Sequence, residues 1–220
     1  MCGRYSQTKS KQDIKKRFNL KKVPDEMGPL FNIAPDSNVP VILNESSDEI
    51  TLARWGLVPS WSKEEESPYS MINARAETIL EKPSYKRLIK NKRCLIIADS
   101  FYEWKKVKGK KFPHRIMLES EDLFAFAGLW DLWEGNGNSL ISCSIITTTP
   151  NKLCVTIHDR MPVILPRERE KDWLSDITVE DAIKLLQPCA DGMKCCEISL
   201  KINNPQNNSP DVILPFKSQP

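Results

Sequence analysis

Short apolar runs separated by polar turns dominate the chain, and only a few stretches carry a helical spacing. Val39 to Leu43 and Ile50 to Val58 read as two strands joined by the polar turn Asn44 to Glu49. Cys94 to Trp104, rich in β-branched and aromatic residues, has the character of one buried strand. The lysine-rich stretch around Gly109 turns it back into Phe112 to Leu118 as a hairpin. Phe124 to Trp133 and Leu140 to Thr148 flank Gly135-Asn136-Gly137-Asn138 as a second strand, turn, strand unit. A short N-terminal strand and an extended Met71 to Ala76 complete the β signal, and Ser67-Pro68 closes a loop. The helical spacings are Ser10 to Phe18, capped by Ser10 with Ile14 and Phe18 on one face, and Val179 to Leu186, with Val179, Ile183 and Leu186 aligned. Ile79 to Leu88 carries a weaker helical pattern, and Asn151 to Thr156 a single helical turn. Residues 24 to 40, with Pro24, Pro29, Pro35 and Pro40, read as irregular loop. The tail from Asn203 to Pro220 is expected to drape over the body rather than add an element. Many short strands with few helices imply an α+β fold with a curved, largely antiparallel sheet.

A chain of 220 residues can bury one good-sized core, and no internal repeat or linker divides it, so residues 1–220 are expected to form a single domain. Its 40% hydrophobic and 28% charged content is ordinary globular usage. No apolar run approaches the roughly 18 residues of a membrane helix, and the N-terminus lacks the marks of a secretory signal, so a soluble, cytoplasmic protein is expected. Seven cysteines, an odd number, then imply reduced thiols. Cys94 and Cys143 sit in apolar runs as small core residues. No C-x-x-C is present, His114 and His158 stand alone, and Cys195-Cys196 would point opposite ways along a strand, so no metal is expected. The net charge of +3 is too small to indicate a nucleic-acid partner by itself. Its distribution adds two basic clusters, one around the first helix from Lys9 to Lys22 and one in the hairpin loop from Lys105 to Lys111. Either can be a solvated face or a binding surface.

Cys2 is the most informative single residue. Its side chain is small enough for methionine removal, which exposes an α-amine with a pKa of about 8 beside a thiol near about 8.5. A 1,2-aminothiol reacts with an aldehyde through a Schiff base, and the thiol then closes a five-membered thiazolidine, two steps that neither a lysine nor an internal cysteine can combine. Glu103 lies between Tyr102 and Trp104 at the end of an apolar strand, where partial desolvation raises a carboxyl pKa and suits it to move protons. His158, in Ile157-His158-Asp159-Arg160-Met161-Pro162, is a candidate proton donor to a sugar ring oxygen. Asn73 and Arg75 share one side of an extended segment. Asn73 can orient the amine or the reacted ring, and Arg75 can clamp a phosphate, with Arg4 and Arg160 as further phosphate candidates. Glu77 offers a pairing partner to either neighbouring arginine. Trp61 is expected to be exposed for stacking on an unpaired base, and Trp55 to be buried.

At these residues the chain resembles the SRAP (SOS-response-associated peptidase) family. The likeness runs through Met1-Cys2-Gly3-Arg4, Asn32-Ile33-Ala34-Pro35, Arg54-Trp55-Gly56-Leu57-Val58-Pro59-Ser60-Trp61, Asn73-Ala74-Arg75-Ala76-Glu77-Thr78, Phe101-Tyr102-Glu103-Trp104, Ala127-Gly128-Leu129-Trp130 and His158-Asp159-Arg160-Met161-Pro162. Asn203-Asn204 and Asn208-Ser209-Pro210 look like the closing motif. The chain departs from the pattern at Pro150, where similar proteins often carry a smaller residue, and in the variable Asp36-Ser37-Asn38. The resemblance implies a single α+β domain with a barrel-like sheet, peripheral helices and a basic groove for single-stranded DNA. It also implies an N-terminal cysteine that forms a thiazolidine crosslink with an abasic deoxyribose, with no cofactor. Carried over, Cys2 is the nucleophile, Asn73 positions it, Glu103 transfers protons, His158 assists ring opening, and Arg4, Arg75 and Arg160 hold the backbone.

The expected partner is therefore single-stranded DNA containing an abasic site. A monomer in the bacterial cytoplasm, nucleoid-associated when bound, and a bacterial or phage source are expected, since the chain ends at Pro220 without the long tail of eukaryotic relatives. Two other readings stay open on the residues: an N-terminal-nucleophile peptidase in which Cys2 uses its own amine as base, and a non-covalent single-stranded nucleic-acid module.

Overall fold

The structure is a computed structural model and describes residues 2–65, 71–189 and 192–216. In chain order its elements are β1 (Tyr5–Gln7), α1 (Lys11–Phe18), β2 (Leu30–Ile33), β3 (Asn38–Leu43), β4 (Ser46–Trp55), β5 (Asn73–Arg75), α2 (Pro83–Lys86), α3 (Leu88–Asn91), β6 (Arg93–Ala98), β7 (Ser100–Val107), β8 (Lys110–Leu118), β9 (Phe124–Gly135), β10 (Asn138–Thr148), β11 (Met161–Pro162), β12 (Ile164–Leu165), α4 (Glu170–Leu174), α5 (Val179–Lys184) and β13 (Met193–Glu197), with short 3-10 turns between them. Pairing of β4 with β3, β3 with β6, β6 with β9, β9 with β10 and β10 back to β4 closes a five-stranded barrel. Only the β10–β4 seam is parallel, and β5 runs parallel to β10 beyond it. A second sheet, in the order β13-β8-β7-β1-β2, is antiparallel throughout. The α+β class and the barrel-like, mostly antiparallel sheet with peripheral helices are thus present. No described helix is long and apolar enough to cross a membrane.

The strand period of two sorts the barrel side chains onto two faces. Val41, Cys94, Ile96, Phe126 and Cys143 join one core, and Ile42, Leu95, Ile97, Ala125 and Ala127 join another. The second core takes in Ile14, Leu88, Trp173 and Ala182 from the helices, so it is the outer face. The first core is therefore the barrel interior, and it continues through Tyr5, Ile33, Phe101 and Ile116 into the second sheet. Tyr5 stands edge-on to Trp55 and Phe126, with ring centroids 5.1 and 5.5 Å apart, and so ties β1 to the barrel. Arg93 is 1% exposed and forms no ion pair with a carboxylate among the described residues. Its guanidinium donates instead to the carbonyls of Trp173 (2.7 Å), Ile89 (2.8 Å), Lys90 (2.6 Å) and Ser175 (2.5 Å), which pins α3 and α4 to the barrel wall.

Both hairpins form as the turn residues require. Lys108-Gly109 and Asn136-Gly137 place two consecutive residues at positive φ, the twist that two-residue hairpin turns favour. The α1 helix carries the expected Ser10 cap, as a full capping box with Asp13. Several boundaries differ from the sequence pattern. Cys94 to Trp104 is two strands in different sheets, because Asp99 interrupts the run as a buried corner. Its carboxylate accepts from Ser6 Oγ, the Thr8 amide and Thr8 Oγ1. Residues 24–40 are not all loop, since they contain β2 and the start of β3. Pro40 is tolerated there because β6 pairs only from Val41 onward, leaving its missing N–H without a ladder partner to lose. The Asn44–Glu49 turn shrinks to two residues as β4 begins at Ser46. The 79–88 segment is not one helix: α2 starts only at Pro83, its first helical residue, and α3 follows from Leu88, while a 3-10 turn precedes the segment at Ala76–Thr78. The Ser67-Pro68 loop lies outside the described residues. The described part of the tail does add structure: it follows a 3-10 turn at Leu200–Asn203 and contributes another at Pro210–Ile213 and a bridge from Pro215 to Ile198.

Candidate functional site

The site lies where the second sheet meets the barrel. Cys2 precedes β1 and Glu103 sits on β7, whereas Asn73 comes from β5 and His158 from the segment between β10 and β11. Cys2 is fully buried, and Asn73 Nδ2 donates to its carbonyl at 2.9 Å. The Asn73 carbonyl in turn accepts from the Tyr85 hydroxyl at 3.1 Å. Asn73 Oδ1 is buried without a hydrogen-bond partner among the described residues, an acceptor aimed beside the Cys2 backbone. The Cys2 thiol reaches the Arg4 carbonyl at 3.9 Å.

Burial pushes the Cys2 thiol pKa well above its usual value, and the nearby Glu103 charge adds to the rise. Burial likewise lifts Glu103 to about 7. The Asp159 charge contributes, and the Trp104 amide opposes it by hydrogen bonding. Its carboxyl therefore exchanges protons near neutrality. His158 Nε2 is 3.9 Å from Glu103 Oε2. The Arg160 amide donates to His158 Nδ1 at 3.0 Å, which assigns the neutral ring's proton to Nε2, facing Glu103. Burial holds the His158 pKa below its usual value, while Asp159, with Oδ1 2.9 Å from Nδ1, stands ready to stabilise a second proton. The arrangement combines a protonated thiol, a carboxyl that titrates near pH 7 and an imidazole that presents a proton, which is general acid–base equipment around one nucleophile.

The four candidate cations and aromatics are placed differently. Arg75 is exposed on β5, two residues from Asn73, and makes no hydrogen bond or ion pair with another described residue. Arg4 is committed to Asn32 Oδ1 (2.7 Å) and the Ile202 carbonyl (2.8 Å). Arg160 forms a two-pronged pair with Glu77, at 2.7 and 2.9 Å, and also donates to the Thr147 carbonyl. That pairing fixes the His158 segment against the turn after β5. Trp61 is 63% exposed and Trp55 fully buried, and among the described residues no hydrogen bond or ring contact links Trp61 to Cys2, Asn73, Glu103 or His158. Sequence reasoning missed Asp159, Tyr85 and Asn32. Asn32 donates to the carbonyls of Ile202, Asn204 and Asn207, and so clamps the tail beside Arg4. Its signal in the sequence was its place in the Asn32-Ile33-Ala34-Pro35 block, which gave it no role while residues 24–40 read as loop. Lys106 in the hairpin cluster lies close enough to His158 to help depress its pKa. Among the described residues no group of three or more His, Cys, Asp or Glu side chains is arranged to hold a metal ion.

Comparison with known proteins agrees over almost the whole chain. The family model described as SOS response associated peptidase (SRAP) matches residues 1–205. The protein named abasic site processing protein YoqW of Bacillus subtilis is 48% identical over 97% of this chain and 99% of its own length. The abasic site processing protein HMCES of Xenopus tropicalis is 33% identical over 100% of this chain and 81% of its own. A crystal structure of a protein from Bacteroides thetaiotaomicron superposes with a TM-score of 0.89 at 28% identity, over 98% of this chain and 100% of that one. The chain belongs to the SRAP family.

Proposed function

We propose that this protein processes abasic sites in single-stranded DNA by capturing the open-chain sugar aldehyde on Cys2. The observation that carries the reading is the juxtaposition of the buried Cys2 with Asn73, Glu103 and His158, and relatives named for abasic site processing support the substrate. Once Met1 is removed, the Cys2 amine adds to the aldehyde carbon and the carbinolamine loses one water to give an imine. The thiol then adds to the imine carbon while its proton passes to the nitrogen, closing a thiazolidine. Glu103 takes and returns these protons, His158 Nε2–H protonates the sugar ring oxygen as the aldehyde opens, and Asn73 Oδ1 accepts from the amine. Arg75, already exposed and uncommitted, clamps a phosphate, whereas Arg4 and Arg160 contribute by holding the tail and the His158 segment. The crosslink shields the lesion from strand cleavage. The same thiol and Glu103 can release Met1 by acyl shift to the thiol and hydrolysis of the thioester. Met1 retained in Glu103→Gln protein made without host aminopeptidase activity supports that second activity, and clean removal excludes it.

Intact mass after mixing with an oligonucleotide bearing one abasic site tests the main reading. A species equal to Met1-less protein plus DNA minus one water is expected, and it must vanish in Cys2→Ala. No adduct from protein whose Met1 is confirmed absent overturns the proposal. Arg75→Ala is expected to weaken capture and to lower the salt slope by about one counterion, read from capture rates across a salt series.

A further inference from the structure

A second concave surface lies away from Cys2. A groove of about 1190 Å³ opens between α1, the β8–β9 connection and the α4–α5 region, and it shares no lining residue with the Cys2, Asn73, Glu103 and His158 group. Its volume exceeds the roughly 300–1,000 Å³ of ordinary small-molecule sites. Leu118, Ile177 and Leu185 are only partly buried on its walls, a discontinuous aliphatic strip that none of the described elements covers completely. The charges around that strip are unequal in availability. Among the acids, Asp13 is committed to the Ser10 cap, Asp172 to Arg169 at 2.9 Å, and Asp181 to Lys184 at 2.7 Å. Arg17 is committed to Glu170 beneath the groove. Lys9, Lys16 and Arg167 make no side-chain hydrogen bond or ion pair with a described residue, and among the lining acids only Asp122 is similarly uncommitted. Three uncommitted cations against one uncommitted acid thus share this groove with the aliphatic strip.

We infer that this groove docks an acidic peptide segment of a partner protein, with aliphatic or aromatic side chains on the Leu118–Ile177–Leu185 strip and carboxylates on Lys9, Lys16 and Arg167. Single-stranded DNA fits the same cations but not the walls. Base stacking needs exposed aromatic faces, and the one aromatic lining residue, Phe124, is 2% exposed. An apolar strip with a charged rim is the usual anatomy of a peptide or protein contact.

Fluorescence anisotropy of a fluorescein-labelled dodecapeptide of aspartate and glutamate interrupted by leucine and phenylalanine tests the inference on the full chain. Saturable binding is expected, together with none by the peptide whose acids are replaced by lysine. The exposed-site variants Lys16→Glu and Arg167→Glu should each weaken binding by about fivefold or more, because a lost attraction is replaced by repulsion. Ile177→Asp should do so without altering the three cations, and abasic-site capture by all three variants should match wild type. An unlabelled oligothymidine should not displace the peptide. The inference is overturned by no saturable binding, by binding unchanged in both charge reversals, or by full displacement with oligothymidine, which would make the groove a nucleic-acid surface. Because capture at Cys2 is read separately, failure here leaves the function proposed above untouched, and failure there leaves this groove untouched.

Discussion

Glu103 shows how one side chain can cost stability and gain chemistry through the same burial. Its carboxyl is 4% exposed, and its pKa rises from an ordinary 4.5 to about 7. At about 1.4 kcal/mol per pKa unit, that rise is worth on the order of 3 kcal/mol. The native state binds the proton more tightly than the unfolded state between these two values, so stability falls as pH rises from about 4.5 through about 7. Glu103→Gln, which cannot ionise, is expected to be more stable than wild type at pH 8 by up to that amount and to lose the difference below pH 4.5. Urea unfolding at the two pH values checks it. The same substitution should slow capture roughly 100-fold and abolish any inflection in its pH–rate profile near pH 7, and it should slow reversal as well, since one proton carrier serves both directions. Unchanged rates in both directions would remove Glu103 from the mechanism.

At the level of elements, β2 and the tail depend on each other. β2 is four residues long and, among the described strands, pairs with β1 alone. Its outer edge is completed by Asn208, whose Oδ1 accepts from the amides of Phe31 and Asn32, while Asn32 Nδ2 reaches three tail carbonyls. Asn32→Ala leaves those carbonyls and Arg4 short of partners, so a loss of about 2 kcal/mol or more is expected. Limited proteolysis should cut the 203–216 segment sooner in the variant while the barrel strands stay protected. Simultaneous loss of barrel protection would show that the tail is not a separate contribution. This dependence was hidden in the sequence, where the Asn-rich tail and the proline-bearing 24–40 segment both looked irregular. The two are tied to each other by the Asn32 and Asn208 side chains, a contact that neither local pattern announces.

For the whole molecule, closure of the barrel is the condition on which the site rests, since it brings β5 alongside β10 and so places Asn73 opposite β1 and β7. Closure is tight at Gly128 on β9, where an added Cβ would come within 2.8 Å of Cys94 Sγ and of Ile96. Gly128→Ala is expected to cost about 1–3 kcal/mol through overpacking. Thermal unfolding measures that loss, and it should be accompanied by slower capture if the strain reaches Asn73. An unchanged melting temperature would mean that the barrel wall is less closely packed than its geometry shows.

Local chemistry decided what was readable in the sequence. The two hairpins were legible because Lys108-Gly109 and Asn136-Gly137 carry their turn preference in the residues themselves, and α1 was legible because Ser10 and Ile14 supply its cap and buried face. Cys2, Asn73, Glu103 and His158 could be singled out by residue type, neighbours and family motifs, and Trp55 and Trp61 by the aromatic pattern around them. Only the tertiary structure decided that the 94–104 run breaks at Asp99 into two sheets, that residues 30–33 form a strand, and that Arg4 and Arg160 are occupied by Asn32 and Glu77. The division has one physical cause. Turn preference, capping and nucleophilicity are properties of a residue and its neighbours, whereas pairing partners, burial and the pKa of a carboxyl depend on groups that meet only when the barrel closes.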